Sequence, residues 1–149
     1  MKARDATRKM PVTVSADATV SDVAELMDRR AVGAVIVTDD ERPTGIVTDR
    51  DLAVRVLARR LPPDARVDSV MSTDVMTLPA NADLREAMRL FADHPIRRLP
   101  LVDGGRLIGV LTMDDLMVDV ISDLTSLVRP VTGQVLFGHP EPKVPAEAS

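Results

Sequence analysis

The feature that most constrains this chain is its agreement with itself at a constant offset of 64 residues. Ala16 meets Ala80, Ala18 meets Ala82, Leu26 meets Leu90, Asp39 meets Asp103 and Arg42 meets Arg106. GIVTDRDL at residue 45 and GVLTMDDL at residue 109 then align Gly45, Thr48, Asp51 and Leu52 with Gly109, Thr112, Asp115 and Leu116. About a dozen identities fall on this diagonal where chance gives about three, which identifies a duplication. Whatever fold one half adopts, the other must adopt too.

Both halves have the same internal order. A short apolar piece comes first, Val12 to Val14 in one copy and Val75 to Leu78 in the other. Helical spacing follows, with Val20, Val23, Ala24 and Met27 matched by Leu84, Ala87, Met88 and Phe91. Two apolar runs then predict a hairpin: Ala34–Thr38 and Gly45–Val47 around DDERPT, and Leu99–Val102 and Leu107–Leu111 around DGGR. A second helix follows each motif threonine, over Asp49 to about Arg59 and Met113 to about Asp123. The expected fold is therefore α/β (α+β): two β-α-β-β-α units packed with pseudo-twofold symmetry. Its expected boundaries are 3–60, a linker at 61–69 around Pro62-Pro63, 70–127, and a tail at 128–149. GHPEPKVPAEAS, at the chain end, reads as mobile.

Composition narrows the chemistry. The chain has two Phe and no Trp, Tyr or Cys, so aliphatic residues build the core and few rings can stack on a base. Without cysteine, disulfides, thiol nucleophiles and zinc–thiolate sites are excluded. The formal charge of −4 has its signs interspersed, which argues against nucleic-acid binding. No apolar run suggests a membrane span or signal peptide, and the expected location is the cytoplasm. No nucleophile–base–orienter set and no metal-ligand spacing appear, so no catalytic or metal residue is assigned and no cofactor is required. The methionines Met27, Met71, Met76 and Met88 fall in apolar patterns and read as core filling.

The repeated T-x-x-D has two readings that are compatible. It is a capping box, in which the threonine hydroxyl accepts an amide and the acid reaches back. It is also a place where a phosphate meets a helix start and a short carboxylate meets a ribose. Gly45 and Gly109, three residues before each Thr, leave room for backbone or ligand to approach.

Two β-α-β-β-α units that each end in G-[IV]-[VL]-T-x-x-D-L resemble a tandem pair of CBS domains, also called a Bateman module. VDSVMSTDVMTL, LFADHPIRRLPLVD and GRLIGVLTMDDL add family-like segments in order, and the resemblance runs from about Ala3 to Leu127. It implies adenosine-type ligands (AMP, ADP, ATP or S-adenosylmethionine) in the cleft between the halves. Thr112 and Asp115 would hold a ribose with Val12 and Val32 against the adenine. Thr48 and Asp51 would act with Met76 and Ile96. Arg50, Arg97 and Arg98 would meet phosphates, which assigns the nucleotide with more phosphates to the Thr48/Asp51 cleft. The other cleft, with Asp114 beside Asp115, would be empty or hold a less anionic compound. The resemblance also implies a homodimer and a regulated partner protein acting in trans, since no catalytic or transport domain accompanies the repeats. The alternative is an interaction module whose clefts hold nothing.

Overall fold

A computed structural model describes residues 1–8 and 10–135, and the expected mobile GHPEPKVPAEAS segment lies outside them. Two three-stranded sheets form, each with one parallel and one antiparallel pair. The first contains β1 (Thr13–Ser15), β2 (Ala34–Asp39) and β3 (Arg42–Thr48). The second contains β4 (Leu78–Pro79), β5 (Arg98–Asp103) and β6 (Arg106–Thr112). Helix α1 (Val20–Arg30) crosses the first sheet and α3 (Leu84–Asp93) the second. After β3 comes α2 (Asp49–Asp51), which runs on as a π-helical stretch Leu52–Leu57; after β6 comes α4 (Met113–Val135).

Local chemistry sets these boundaries. Thr19 caps α1 by accepting the Asp22 amide at 3.0 Å, and Ala31 closes it in the left-handed region at φ 51°. Asp83 caps α3 through the Arg85 amide at 2.9 Å, which holds that carboxyl below its ordinary value. That contribution is present above the unfolded pKa and fades as pH falls through the folded one.

Several details differ from the sequence reading. The first hairpin turn is shorter than DDERPT, because Asp40 and Glu41 take φ 48° and 63° where Gly104 and Gly105 take 57° and 82°. Both hairpins thus use a two-residue loop with positive φ, and β3 starts at Arg42. A register shift at Val37/Thr38, repeated at Leu101/Val102, takes up Pro43 within β3. Strand β4 shrinks to two residues, leaving Val75 and Met76 to line a cleft. Helix α4 runs past Asp123 to Val135; no Gly or Pro interrupts residues 123–129 and the apolar spacing continues there, while Pro130 and Gly133 fall within its last turns. The boundary expected at residue 128 is therefore inside a helix. Met88 is exposed rather than in the core, beside Met117 and Ile121 of α4.

The segments leading into the two repeats are exchanged. A 3-10 turn at Ala3–Ala6 precedes the first repeat, and Ala3 and Ala6 are buried in the core of the second with Leu78, Leu99 and Leu111. A 3-10 turn at Val67–Ser69 precedes the second repeat, and Val67 is buried in the core of the first with Val23, Val35 and Val47. The hydrogen bonds obey the offset of 64. Ala3 N–H donates to Ala82 O and Arg4 N–H to Ala80 O, while Val67 N–H donates to Ala18 O and Asp68 N–H to Ala16 O. The expected linker is thus a structural part of the first repeat.

The exchange explains the motif glycines. A Cβ at Gly45 would overlap the Met71 side chain, and one at Gly109 would come within 3.0 Å of Thr7 Cγ2. Thr7 and Met71 are themselves 64 residues apart. Each glycine therefore makes room for the leader of the other repeat, and the close approach is protein on protein.

Val67→Ala should lower stability by about 2 kcal/mol in chemical denaturation, as for a buried truncation. A loss below about 0.5 kcal/mol, the size of an ordinary surface change, would mean that 61–69 is a passive tether.

Candidate functional site

Both motif threonines sit at the end of a strand and at the start of a helix. Thr48 accepts the Asp51 amide and Thr112 the Asp115 amide, each at 3.1 Å. Strand pairing places Ala34 opposite Thr48 and Arg98 opposite Thr112. Asp49 N–H donates to Gly33 O and Met113 N–H to Arg97 O, so the helix starts are fixed in equivalent ways. Strands β3 and β6 touch between the halves, and a cleft opens on each side of that contact.

One cleft, of about 270 Å³, brings Thr112 and Asp115 together with Val12 and Val32. Met10, Pro11, Gly33 and Ala34 add first-repeat lining, and Asp114 lies at the mouth. The other, of about 510 Å³, gathers Thr48, Met76, Ile96, Arg50, Arg97 and Arg98. Asp51 does not line it; Asp49 and Asp74 do.

The two motif carboxylates differ in what they already hold. Asp51 Oδ2 accepts the Thr48 amide at 2.9 Å, which completes a capping box. Asp51 Oδ1 lies 3.6 Å from Arg55 Nη2. One oxygen thus carries a hydrogen bond and the other a looser ion-pair contact. Asp115 Oδ1 and Oδ2 make no hydrogen bond or ion pair among the described residues.

The expected distribution of charge needs correction. Arg98 lines both clefts, and its guanidinium passes 3.7 Å from the point where a Cβ would stand on Gly33. It is the one cationic side chain lining the Thr112/Asp115 cleft among the described residues. Arg97 turns to Asp114 at 3.4 Å, so the acid expected to repel a phosphate there has a counter-ion. That pair is mostly exposed and adds little stability by itself. The Thr48 cleft in turn carries Asp49 and Asp74 against its arginines, so the positive charge is not segregated on that side.

The residue that separates the two carboxylates lies outside the T-x-x-D motif. Four positions beyond the motif acid stands Arg55 in the first repeat and Asp119 in the second. The difference is visible on the offset diagonal, one helical turn from the motif, where i,i+4 side chains meet.

The chain belongs to the CBS domain family, whose domain matches residues 3–58 and 67–121. It is 37% identical over 120 residues to the CBS domain-containing protein YhcV of Bacillus subtilis, covering 80% of this chain and 86% of that one. The crystal structure of Hypoxic Response Protein I with two coordinated zinc ions superimposes with a TM-score of 0.70 at 29% identity, covering 78% of this chain and 97% of that one. The CBS domain protein PAE2072 from Pyrobaculum aerophilum, complexed with AMP, shares the fold with a TM-score of 0.71 at 23% identity. That match covers 82% of this chain and 99% of the Pyrobaculum protein. No cluster of three His, Cys, Asp or Glu able to hold a metal ion occurs among the described residues of the present chain. Nor is any described helix long and apolar enough to cross a membrane.

The two motif acids should separate in stability measurements without ligand. Asp51→Ala is expected to cost about 1 kcal/mol more than Asp115→Ala, because only Asp51 accepts a cap bond and faces an arginine. Equal losses in urea titrations of the two variants would show that Asp115 also works as a cap.

Proposed function

We propose that this CBS pair is a regulatory module that holds one adenosine-type ligand in the Thr112/Asp115 cleft. AMP, ADP, ATP and S-adenosylmethionine are the candidates. The observation that carries this reading is the uncommitted Asp115 carboxylate beside Thr112, across a cleft from Val12 and Val32. A carboxylate with both oxygens free can accept both hydroxyls of a ribose. The two valines offer an apolar slot for adenine, and Arg98 stands ready for a phosphate. This reverses the preference drawn from the sequence, which favoured the Thr48/Asp51 side. The AMP complex of the Pyrobaculum relative supports the ligand class through the shared fold alone.

The signal then passes to a protein partner in trans, in the cytoplasm, through the relative setting of the two repeats. Regulation rather than catalysis is the reading that membership of the CBS domain family supports. A homodimer is part of the proposal. Met117, Ile121, Leu124 and Val128 lie at helical spacing along α4 and are about half exposed, and the first two adjoin Met88 of α3. The same face favours a second reading, an interaction module whose clefts stay empty.

Thermal unfolding against AMP, ADP, ATP, S-adenosylmethionine and GTP distinguishes the readings. A ligand at 100 times its Kd stabilises by about 2.7 kcal/mol, or roughly 5 to 10 °C here. The shift should vanish in Asp115→Ala and persist in Asp51→Ala. Arg98→Ala should weaken AMP tenfold or more relative to adenosine. A flat panel on folded protein would favour the empty-cleft module.

Ile121→Glu tests the apolar face separately. Sedimentation should show a dimer for the parent chain and a monomer for the variant; an unchanged mass would move the interface elsewhere.

A further inference from the structure

We infer that Arg55 closes the Thr48 cleft to ribose and limits the chain to one adenosine-type ligand. The inference rests on the reading of the Thr112/Asp115 cleft given above. A bidentate ribose contact needs an open acceptor position on each carboxylate oxygen. Asp51 Oδ2 accepts the Thr48 amide and keeps a second lone pair, whereas Oδ1 faces the Arg55 guanidinium at 3.6 Å, so Arg55 is the group that obstructs the second contact.

Arg55 is itself held in place. Its Nη1 donates to Val70 O at 2.8 Å and to Ser72 Oγ at 3.2 Å, in the segment leading into the second repeat. With that anchor the guanidinium cannot swing away without breaking bonds to the exchanged leader. Side-chain exposure is 36% for Arg55 and 17% for Asp51, so the pair sits partly out of water.

The second repeat is an internal control. The position equivalent to Arg55 is Asp119, and that equivalent to Ser72 is Arg8. These two form an ion pair, so the leader is tied to the helix by the same two positions with the charges rearranged. The anchor survives, but its cation now comes from the leader and is spent on Asp119. Among the described residues, no side chain then pairs with Asp115. A duplicated site has been kept in one copy and locked in the other.

Titration calorimetry with AMP, ATP and S-adenosylmethionine, each run separately, tests the lock. The parent chain should bind one equivalent of at least one compound. Arg55→Gln, which retains a donor for Val70 O but no charge, should bind two. Asp51→Ala added to Arg55→Gln should return the count to one. If Arg55→Gln does not fold, Arg55→Met preserves the aliphatic stem and is read in the same way. Transplanting the lock, as Arg8→Ser with Asp119→Arg, should abolish binding. Two equivalents in the parent chain, one in a folded Arg55 variant, or undiminished binding in the transplant would each overturn the inference. No binding of any compound by the parent chain would instead overturn the ligand reading, and this inference with it.

Discussion

Ala3 and Ala6 fill the core of the second repeat, and Val67 does the same for the first, so neither repeat is complete without the chain that precedes the other. A unit of about 60 residues buries too small a share of its surface to be secure alone. Exchanging the leaders joins two such units into one body and fixes their relative position from both ends. The clefts depend on this. Each combines a threonine and helix start from one repeat with apolar residues from the other, and a cleft of that kind keeps its shape only while the halves cannot slide. The motif glycines belong to the same constraint, because a side chain at Gly45 or Gly109 would strike the incoming leader.

Once the scaffold is fixed twice over, its exposed positions are free to diverge. The buried pairs on the diagonal remain apolar, as in Val35 with Leu99 or Val47 with Leu111. The polar pairs need only keep a leader tied to a helix, and two chemistries satisfy that. Arg55 reaches Val70 and Ser72 in one copy, and Arg8 reaches Asp119 in the other. The structural requirement is met equally, yet the neighbouring motif acid is engaged in one case and released in the other. The two copies differ in which end of the anchor carries the charge.

The fold was legible in the sequence because it was written twice. Helical spacing at Val20–Met27 and Leu84–Phe91, two hairpins and a motif at each strand end could be checked against each other across 64 residues. The short first turn was harder to see, since Asp40 and Glu41 adopt positive φ without a glycine to announce it. The exchange of leaders was also hidden. Ala3 and Val67 give no periodic pattern in so few residues, and their burial depends on contacts 79 and 49 residues away in sequence. Of the site, sequence brought Thr112 and Asp115 to Val12 and Val32, and Thr48 to Met76 and Ile96, in the groupings that the structure places around each cleft. It misjudged the charges, because a tally of Arg50, Arg97 and Arg98 against Asp114 says nothing about where a long side chain turns.

Whether a capping carboxylate can also be a ligand carboxylate depends on which of its acceptor positions stay open. A cap takes one lone pair of one oxygen, and a ribose diol held by both hydroxyls needs one on each. The same T-x-x-D can therefore cap and bind, unless a neighbouring charge covers the second oxygen. At Asp51 the amide of Thr48 engages one oxygen and the guanidinium of Arg55 faces the other. At Asp115 the threonine still caps the helix through its hydroxyl, while the carboxylate is left to solvent or to a ligand. Duplication made this division possible. One copy has its acid in a cap while the other keeps its acid lining a cleft.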